Sequence, residues 1–315
     1  MSEPQLREKL KALNESLWGN QLRWPRIEEW LANFQPPGAD NSSRERLHAM
    51  FLLSHFTFFN IAATRELLHA LFRDLVRYPI VASIRRANTN TTNVAFLHSR
   101  FAAELATTRF VGTGNPSDSG THLLYYFRQE NQLDRDLFVS AHELLDQDDA
   151  TGRAILEGTV TRVVFLDDFC GSGRQAIRYS TSIVEKLKTA APKLETRYHV
   201  LFATSRGLEE VRKKTRFDVS SSVCELDPSF KSVSPESRYF RNAPQEIDRD
   251  FARAMCLKYG KQIEPSSPLG FGGCELLIGF EHNIPNNTLP IIWSEGHTGR
   301  HWVPALKRHR KGVNW

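Results

Sequence analysis

Acidic residues are absent from the end of this 315-residue chain. Between Gly296 and Trp315 there is no Asp or Glu, while Arg300, Lys307, Arg308, Arg310 and Lys311 supply five bases. The whole chain carries 41 Lys plus Arg against 36 Asp plus Glu, a formal charge of +5. Without those five bases the count is 36 against 36, so the body is neutral and the excess has an address. That argues against a body shaped to bind polyanions over its whole surface. Cysteine is scarce too: Cys170, Cys224, Cys256 and Cys274 form no CxxC pair, and no His cluster has zinc-ligand spacing. A disulfide scaffold and a zinc module are thereby excluded, and free thiols in a reducing compartment are expected. Long apolar runs are missing as well. The most apolar stretch, Met50–Phe59, is broken by Ser54, His55 and Thr57, and a membrane span needs roughly 20 apolar residues. It is expected to be part of a buried helix, Arg44–Phe59. The opening MSEPQLREKL has no apolar signal core, so a cytoplasmic protein with no membrane segment is expected. No internal repeat or low-complexity segment is present.

What remains is ordinary globular material, 40% hydrophobic and 24% charged, long enough for one large domain or two modest ones. The spacing of Leu6, Leu10, Leu13 and Leu17 predicts a first helix over residues 3–17, and Trp24-Pro25 opens a second. QPPGADNSS, residues 35–43, reads as a linker. Helices are expected over Ala62–Tyr78, to about Arg86, and from the capping residues Asn90–Asn93 to Leu105. Beyond residue 107 the pattern changes. Thr108–Val111, Leu137–Ser140, Arg162–Leu166, Tyr198–Ala203 and Phe217–Val223 read as strands, with helices at Ser119–Gln129, Arg174–Thr189 and Leu208–Lys214. Such alternation predicts an α/β fold with a parallel sheet. The expected division is 1–90, helical; 91–228, the α/β core; and 229–315, a C-terminal segment. In the last part Glu275–Glu281 and Leu289–Ser294 read as a hairpin.

The segment richest in chemistry is RVVFLDDFCGSGRQA, Arg162–Ala176. An apolar strand ends in Asp167 and Asp168, and Gly171-Ser172-Gly173 leads into a helix. Ligands of open α/β sheets bind outside the carboxyl ends of strands. Backbone N–H groups at such a turn converge with the helix dipole on one point, which suits a phosphate. Paired acids suit ribose hydroxyls or a Mg²⁺ shared with phosphates. A plain tight turn with helix-capping acids satisfies the same letters.

This segment resembles the phosphate loop of type I phosphoribosyltransferases. Asp167, Asp168, Phe169, Cys170, Gly171, Ser172 and Gly173 fall on that family's pattern. Gly171, where Thr or Ser is usual, and Arg174-Gln175, where Gly and Thr are common, depart from it. The resemblance implies a parallel-sheet type I phosphoribosyltransferase-like core. It implies a site for phosphoribosyl pyrophosphate (PRPP) or a related nucleotide, with Mg²⁺ as cofactor and transfer of the ribose-phosphate group as activity. Asp167 and Asp168 would serve catalysis and meet the metal through water. Phe169, Cys170, Gly171, Ser172, Gly173, Arg174 and Gln175 would bind the ribose phosphate. The upstream loop GTGNPSDSG, with Gly112, Thr113, Gly114, Ser119 and Gly120, would hold pyrophosphate, although it contains no Arg or Lys. A lid over Leu145–Gly158 would bring Arg153 as its cation.

The chain also resembles, through this loop and the segment Gly270–Trp293, phosphoribosyltransferase-like proteins of bacterial conflict systems. That implies an antiphage, retron-associated effector. The basic tail Arg300–Lys311 would then touch nucleic acid or a protein partner, including a reverse transcriptase–RNA complex. Two other readings stay open. Asp168-Phe169-Cys170-Gly171-Ser172-Gly173 is similar to the first motif of S-adenosylmethionine (SAM)-dependent nucleic-acid methyltransferases, although their second catalytic stretch is missing. A non-catalytic domain that senses a nucleotide or holds a partner is the other. His48 and His55 are expected to be packed, and Cys170 to be a packed thiol.

Overall fold

The structure, a computed structural model, describes residues 2–34, 42–114, 119–141, 143–147, 154–156, 159–297 and 300–309. Helices come first: α1 (Glu3–Ser16), α2 (Trp24–Leu31) and α3 (Ser42–Leu53), then a short strand β1 (Thr57–Phe59). Next are α4 (Ile61–Leu71), a π-helical turn (Phe72–Arg77), α5 (Tyr78–Ala87) and α6 (Val94–Ala106). Strands and helices then alternate through β2 (Thr108–Gly112), α7 (Ser119–Glu130), β3 (Leu145–Gln147), β4 (Ala154–Leu156) and β5 (Arg162–Cys170). They continue as α8 (Arg174–Tyr179), α9 (Glu185–Ala190), β6 (Glu195–Thr204), α10 (Ser205–Lys214) and β7 (Val219–Leu226). The remainder holds α11 (Arg249–Ile263), β8 (Ile278–Phe280), α12 (Pro290–Trp293), β9 (Gly296–His297) and β10 (Arg300–His301). Local chemistry starts the helices where the sequence places them. Pro25 sits in the first turn of α2, and the side chain of Asn93 accepts the Phe96 N–H at 3.0 Å to cap α6.

By their contacts the residues form two compact units, 1–64 with 226–315, and 65–225. The sequence suggested breaks at 90 and 228 instead. The difference has a physical cause: helices α1–α3 share one core with residues drawn from 233–305. Phe34, fully buried, sets the pattern there. Its ring packs edge-on at 5.2 Å against each of Trp30, Tyr259 and Trp302. The indole N–H groups of Trp30 and Trp302 both donate to the Ile291 carbonyl. His48 is packed as expected. One ring nitrogen lies 2.7 Å from the Arg44 carbonyl and the other accepts the Asp248 N–H at 2.8 Å, which joins α3 to the start of α11.

The expected helix Arg44–Phe59 is corrected. α3 stops at Leu53, where the Ser54 hydroxyl turns back to the Phe51 carbonyl at 2.8 Å. Thr57–Phe59, one β-branched residue and two aromatics, then pair in parallel with Ile278–Phe280. That pairing also displaces the expected hairpin. Residues 275–281 give their edge to β1, while Pro290 fixes a helical φ and opens α12 where the second arm was expected. Among the described residues, the first arm makes one isolated parallel bridge nearby, Leu276 with Thr288, just before the second arm begins.

The second unit carries a four-stranded sheet in the order β2-β5-β6-β7. β5 lies between β2 and β6 and is parallel to both. Side chains alternate across a strand, so Val163 and Phe165 of β5 share one face with Val111, Tyr198 and Val200, packed under Ala176, Val184, Leu187, Leu208 and Val211. On the opposite face Phe110 meets Phe72, Phe127 and Phe138. Helices thus cover both faces, which is why VVFL reads as a continuous apolar run. The strand expected at Leu137–Ser140 reduces to a 3₁₀ turn (Arg135–Leu137) and one parallel bridge, Phe110 with Phe138. Among the described residues no helix is long and apolar enough to cross a membrane.

Candidate functional site

β5 is one of the two inner strands of the sheet in the second unit. Asp167 pairs in register with Val200, Phe169 with Phe202 and Cys170 with Ala203, so the strand runs four residues past Leu166, where the sequence placed its end. Asp167 and Asp168 are only 4% and 8% exposed. Being consecutive, they face opposite sides of the sheet. Asp167 is braced from several directions. One carboxyl oxygen accepts the Asp168 N–H at 3.0 Å, and the other accepts the Tyr198 hydroxyl at 3.2 Å. The Thr113 side chain, at the end of β2, also hydrogen-bonds this carboxyl. Burial, then the neighbouring Asp168 charge, pushes Asp167 well above the usual carboxylate range. Burial, then the charge of Asp167, lifts Tyr179 to about 12.

After Cys170 the chain makes the turn Gly171-Ser172-Gly173 and enters a helical run, α8, a π turn (Ser180–Val184) and α9. Gly173 has φ +73°, a left-handed conformation that glycine adopts without strain. The turn is clamped from behind. Thr204, at the end of β6, donates its hydroxyl to the Gly171 carbonyl at 2.5 Å and accepts the Gly207 N–H at 2.9 Å. A Cβ on Gly207 would sit 2.3 Å from the Gly171 oxygen, and one on Gly173 would sit 2.8 Å from the Gly207 oxygen. The Gly171 carbonyl therefore faces α10. Because the peptide is planar and trans, the Ser172 N–H points the opposite way, out of the sheet edge. The first-turn N–H groups that follow have no intrahelical acceptor.

The upstream loop begins beside these acids. Gly112 pairs with Leu166 in register, and Gly114 has φ +97°. Thr113 is fully buried, and its N–H donates to the Leu166 carbonyl at 2.9 Å. It braces the acids and its own N–H is committed. Ser119 and Gly120 form the first turn of α7; 115–118 lie outside the described residues. Arg153 also lies outside them. Of the expected lid, Leu145–Gln147 and Ala154–Leu156 pair as antiparallel strands.

Comparison with known proteins decides the family. A family model named PRTase-CE matches residues 27–308. The chain belongs to the PRTase-CE family. Its fold resembles the AQ2163 protein from Aquifex aeolicus (13% identity, TM-score 0.28), with 65% of this chain and 86% of that one covered. It also resembles the xanthine-guanine-hypoxanthine phosphoribosyltransferase of Helicobacter pylori (10% identity, TM-score 0.29; 62% and 90% covered). A third likeness is to the orotate phosphoribosyltransferase from Aeropyrum pernix (15% identity, TM-score 0.23; 41% and 73% covered). No curated protein matches. This PRTase-CE chain has a type I phosphoribosyltransferase-like core, with the sequence-predicted loop at the end of the inner strand β5.

Sequence reasoning missed Tyr198, Thr204 and Gly207, which brace the acids and the turn from β6 and α10. The signal was faint: a lone Thr before a helix, and a Gly within it. Among the described residues no three His, Cys, Asp or Glu side chains converge as a metal cage. Two adjacent carboxyls suit Mg²⁺, which commonly takes one or two carboxylates plus substrate phosphates and water. Lys307 pairs with Glu295 at 3.0 Å, and Arg308 donates to the Ile284 carbonyl. The near half of the basic tail is therefore docked on its own unit; 310–315 lie outside the described residues.

Proposed function

We propose that this PRTase-CE protein binds PRPP with Mg²⁺ and transfers its ribose-phosphate group to an acceptor. The observation that carries the reading is the pair Asp167-Asp168 at the carboxyl end of β5, followed at once by the clamped Gly171–Gly173 turn. The 5-phosphate would sit on the outward N–H groups of Ser172 to Gln175, helped by the hydroxyl of Ser172. Asp168, with Asp167 behind it, would meet ribose hydroxyls and water on the cation. Gly112, Gly114, Ser119 and Gly120 would face the diphosphate. Bound Mg²⁺ would neutralise charge on the departing diphosphate. Arg174 flanks the phosphate position in sequence, and the lid strands would exclude water.

On this reading the protein is a soluble cytoplasmic transferase. The resemblance to conflict-system proteins supports a role as an antiphage effector, in some systems encoded beside a retron reverse transcriptase. A plaque assay with Asp168→Asn in the host operon addresses that role. The direct test is thermal: PRPP plus Mg²⁺ should raise the melting temperature, and Asp168→Asn should remove the rise. A rise with SAM alone, or none with PRPP at millimolar concentration, overturns the reading.

A further inference from the structure

We infer that Tyr198 is a positioning residue that sets the Asp167 carboxyl against the glycine turn; the inference rests on the ribose-phosphate reading of this site. Tyr198 lies on β6, one strand away from both groups it serves. Its hydroxyl donates to Asp167 Oδ2 at 3.2 Å, and the side chain of Cys170, the residue that enters the turn, is near enough to interact with it. One phenol thus spans the first acid and the start of the phosphate loop. The ring itself is held firmly. It is 1% exposed, stacks on Phe217 at a centroid distance of 5.4 Å and an interplanar angle of 23°, and lies in the core under α8 and α9.

Asp167 has no slack of its own. Its other oxygen accepts the Asp168 N–H and the Thr113 side chain also meets this carboxyl, so the Tyr198 hydroxyl is the partner that β6 contributes to fixing its orientation about its bond to Cβ. Remove that hydroxyl and the fold keeps its aromatic stack, but one carboxyl oxygen loses its partner. The carboxyl then turns to find another, and the angle between Asp167 and Asp168 changes. A ribose held by Asp168, whose N–H is anchored on Asp167, is sensitive to that angle, whereas a phosphate held by the N–H groups of the turn is not.

The test is Tyr198→Phe in the full-length protein, which removes only the oxygen. Calorimetric titration with PRPP plus Mg²⁺ should show affinity weakened about tenfold, the scale of one lost hydrogen bond. Titration with inorganic phosphate should be unchanged, and so should the melting temperature without ligand. A merely structural role would weaken both ligands together; equal losses, or no loss for PRPP, overturn the inference. A crystal structure of the variant separates this from failure of the function itself. If wild-type protein binds no PRPP, the function reading falls, and an unmoved Asp167 carboxyl in the variant then defeats the positioning claim as well. A turned carboxyl upholds it.

Discussion

Gly207 touches Gly171 backbone to backbone: a methyl group added to Gly207 would lie 2.3 Å from the Gly171 carbonyl oxygen. The turn Gly171–Gly173 is therefore shaped by a glycine 36 positions away in sequence, on a different helix. The contact turns one carbonyl inward and so turns the next N–H outward. Gly207→Ala should push the turn away from α10. Overpacking of this kind costs about 1–3 kcal/mol, visible in urea unfolding. PRPP affinity should fall by more than the stability loss alone would suggest, because the N–H groups move with the turn.

The two acids should respond differently to removal of charge. Asp168→Asn is expected to abolish the PRPP-dependent thermal rise. In wild-type protein at a hundredfold excess over Kd that rise corresponds to about 2.7 kcal/mol. Asp167→Asn keeps a carbonyl for the Asp168 N–H and an amide that can face the Tyr198 hydroxyl, so it should fold and bind PRPP weakly. Chelating Mg²⁺ with EDTA should remove the rise in wild-type protein, checked by differential scanning fluorimetry.

His199 sits on β6, 1% exposed, with neither ring nitrogen hydrogen-bonded. Burial, reinforced by the charge of Arg197, depresses it from 6.5 to about 3. The sign follows directly. The unfolded chain takes up this proton below about pH 6.5, and the folded chain refuses it until about 3. Stability from this group is complete above 6.5 and is lost as pH falls, by up to about 1.4 kcal/mol per pH unit. His199→Leu should flatten the acid limb of a stability–pH profile. At pH 7 it should be neutral or stabilising, since two unsatisfied polar atoms leave the core.

The basic tail calls for care in any binding experiment. Ala305 is buried, the Leu306 N–H donates to the Ile292 carbonyl, and Asn283 holds both the N–H and the carbonyl of His309. Deleting 304–315 should therefore lower the melting temperature. Replacing Arg310 and Lys311 by Ala removes charge without cutting those bonds. If the tail binds RNA or DNA, the double variant should lower the salt slope of binding by about two. An unchanged slope assigns the two bases to solubility.

The aromatic cluster around Phe34 offers a plain stability check. Phe34→Ala removes a fully buried ring that touches Trp30, Tyr259 and Trp302. The loss should be about 3–5 kcal/mol, measured by equilibrium unfolding.

The sequence by itself determined whatever is local. An apolar strand, two acids and a glycine turn are written contiguously in Arg162–Ala176, so the candidate site and its parallel-sheet setting were legible there. The Asn93 cap and the Pro25 helix start were legible for the same reason, since neighbours along the chain decide them. Tertiary structure decided the rest. Thr57–Phe59 became a strand because a partner edge waits at Ile278–Phe280, and that long-range pairing outweighs helix propensity. The same pairing, with Pro290, undid the expected hairpin. Tyr198, Thr204 and Gly207 joined the site only because parallel pairing brings β6 and α10 beside β5. Strand register is a cooperative property of the whole sheet, so no window of sequence around Asp167 contains it.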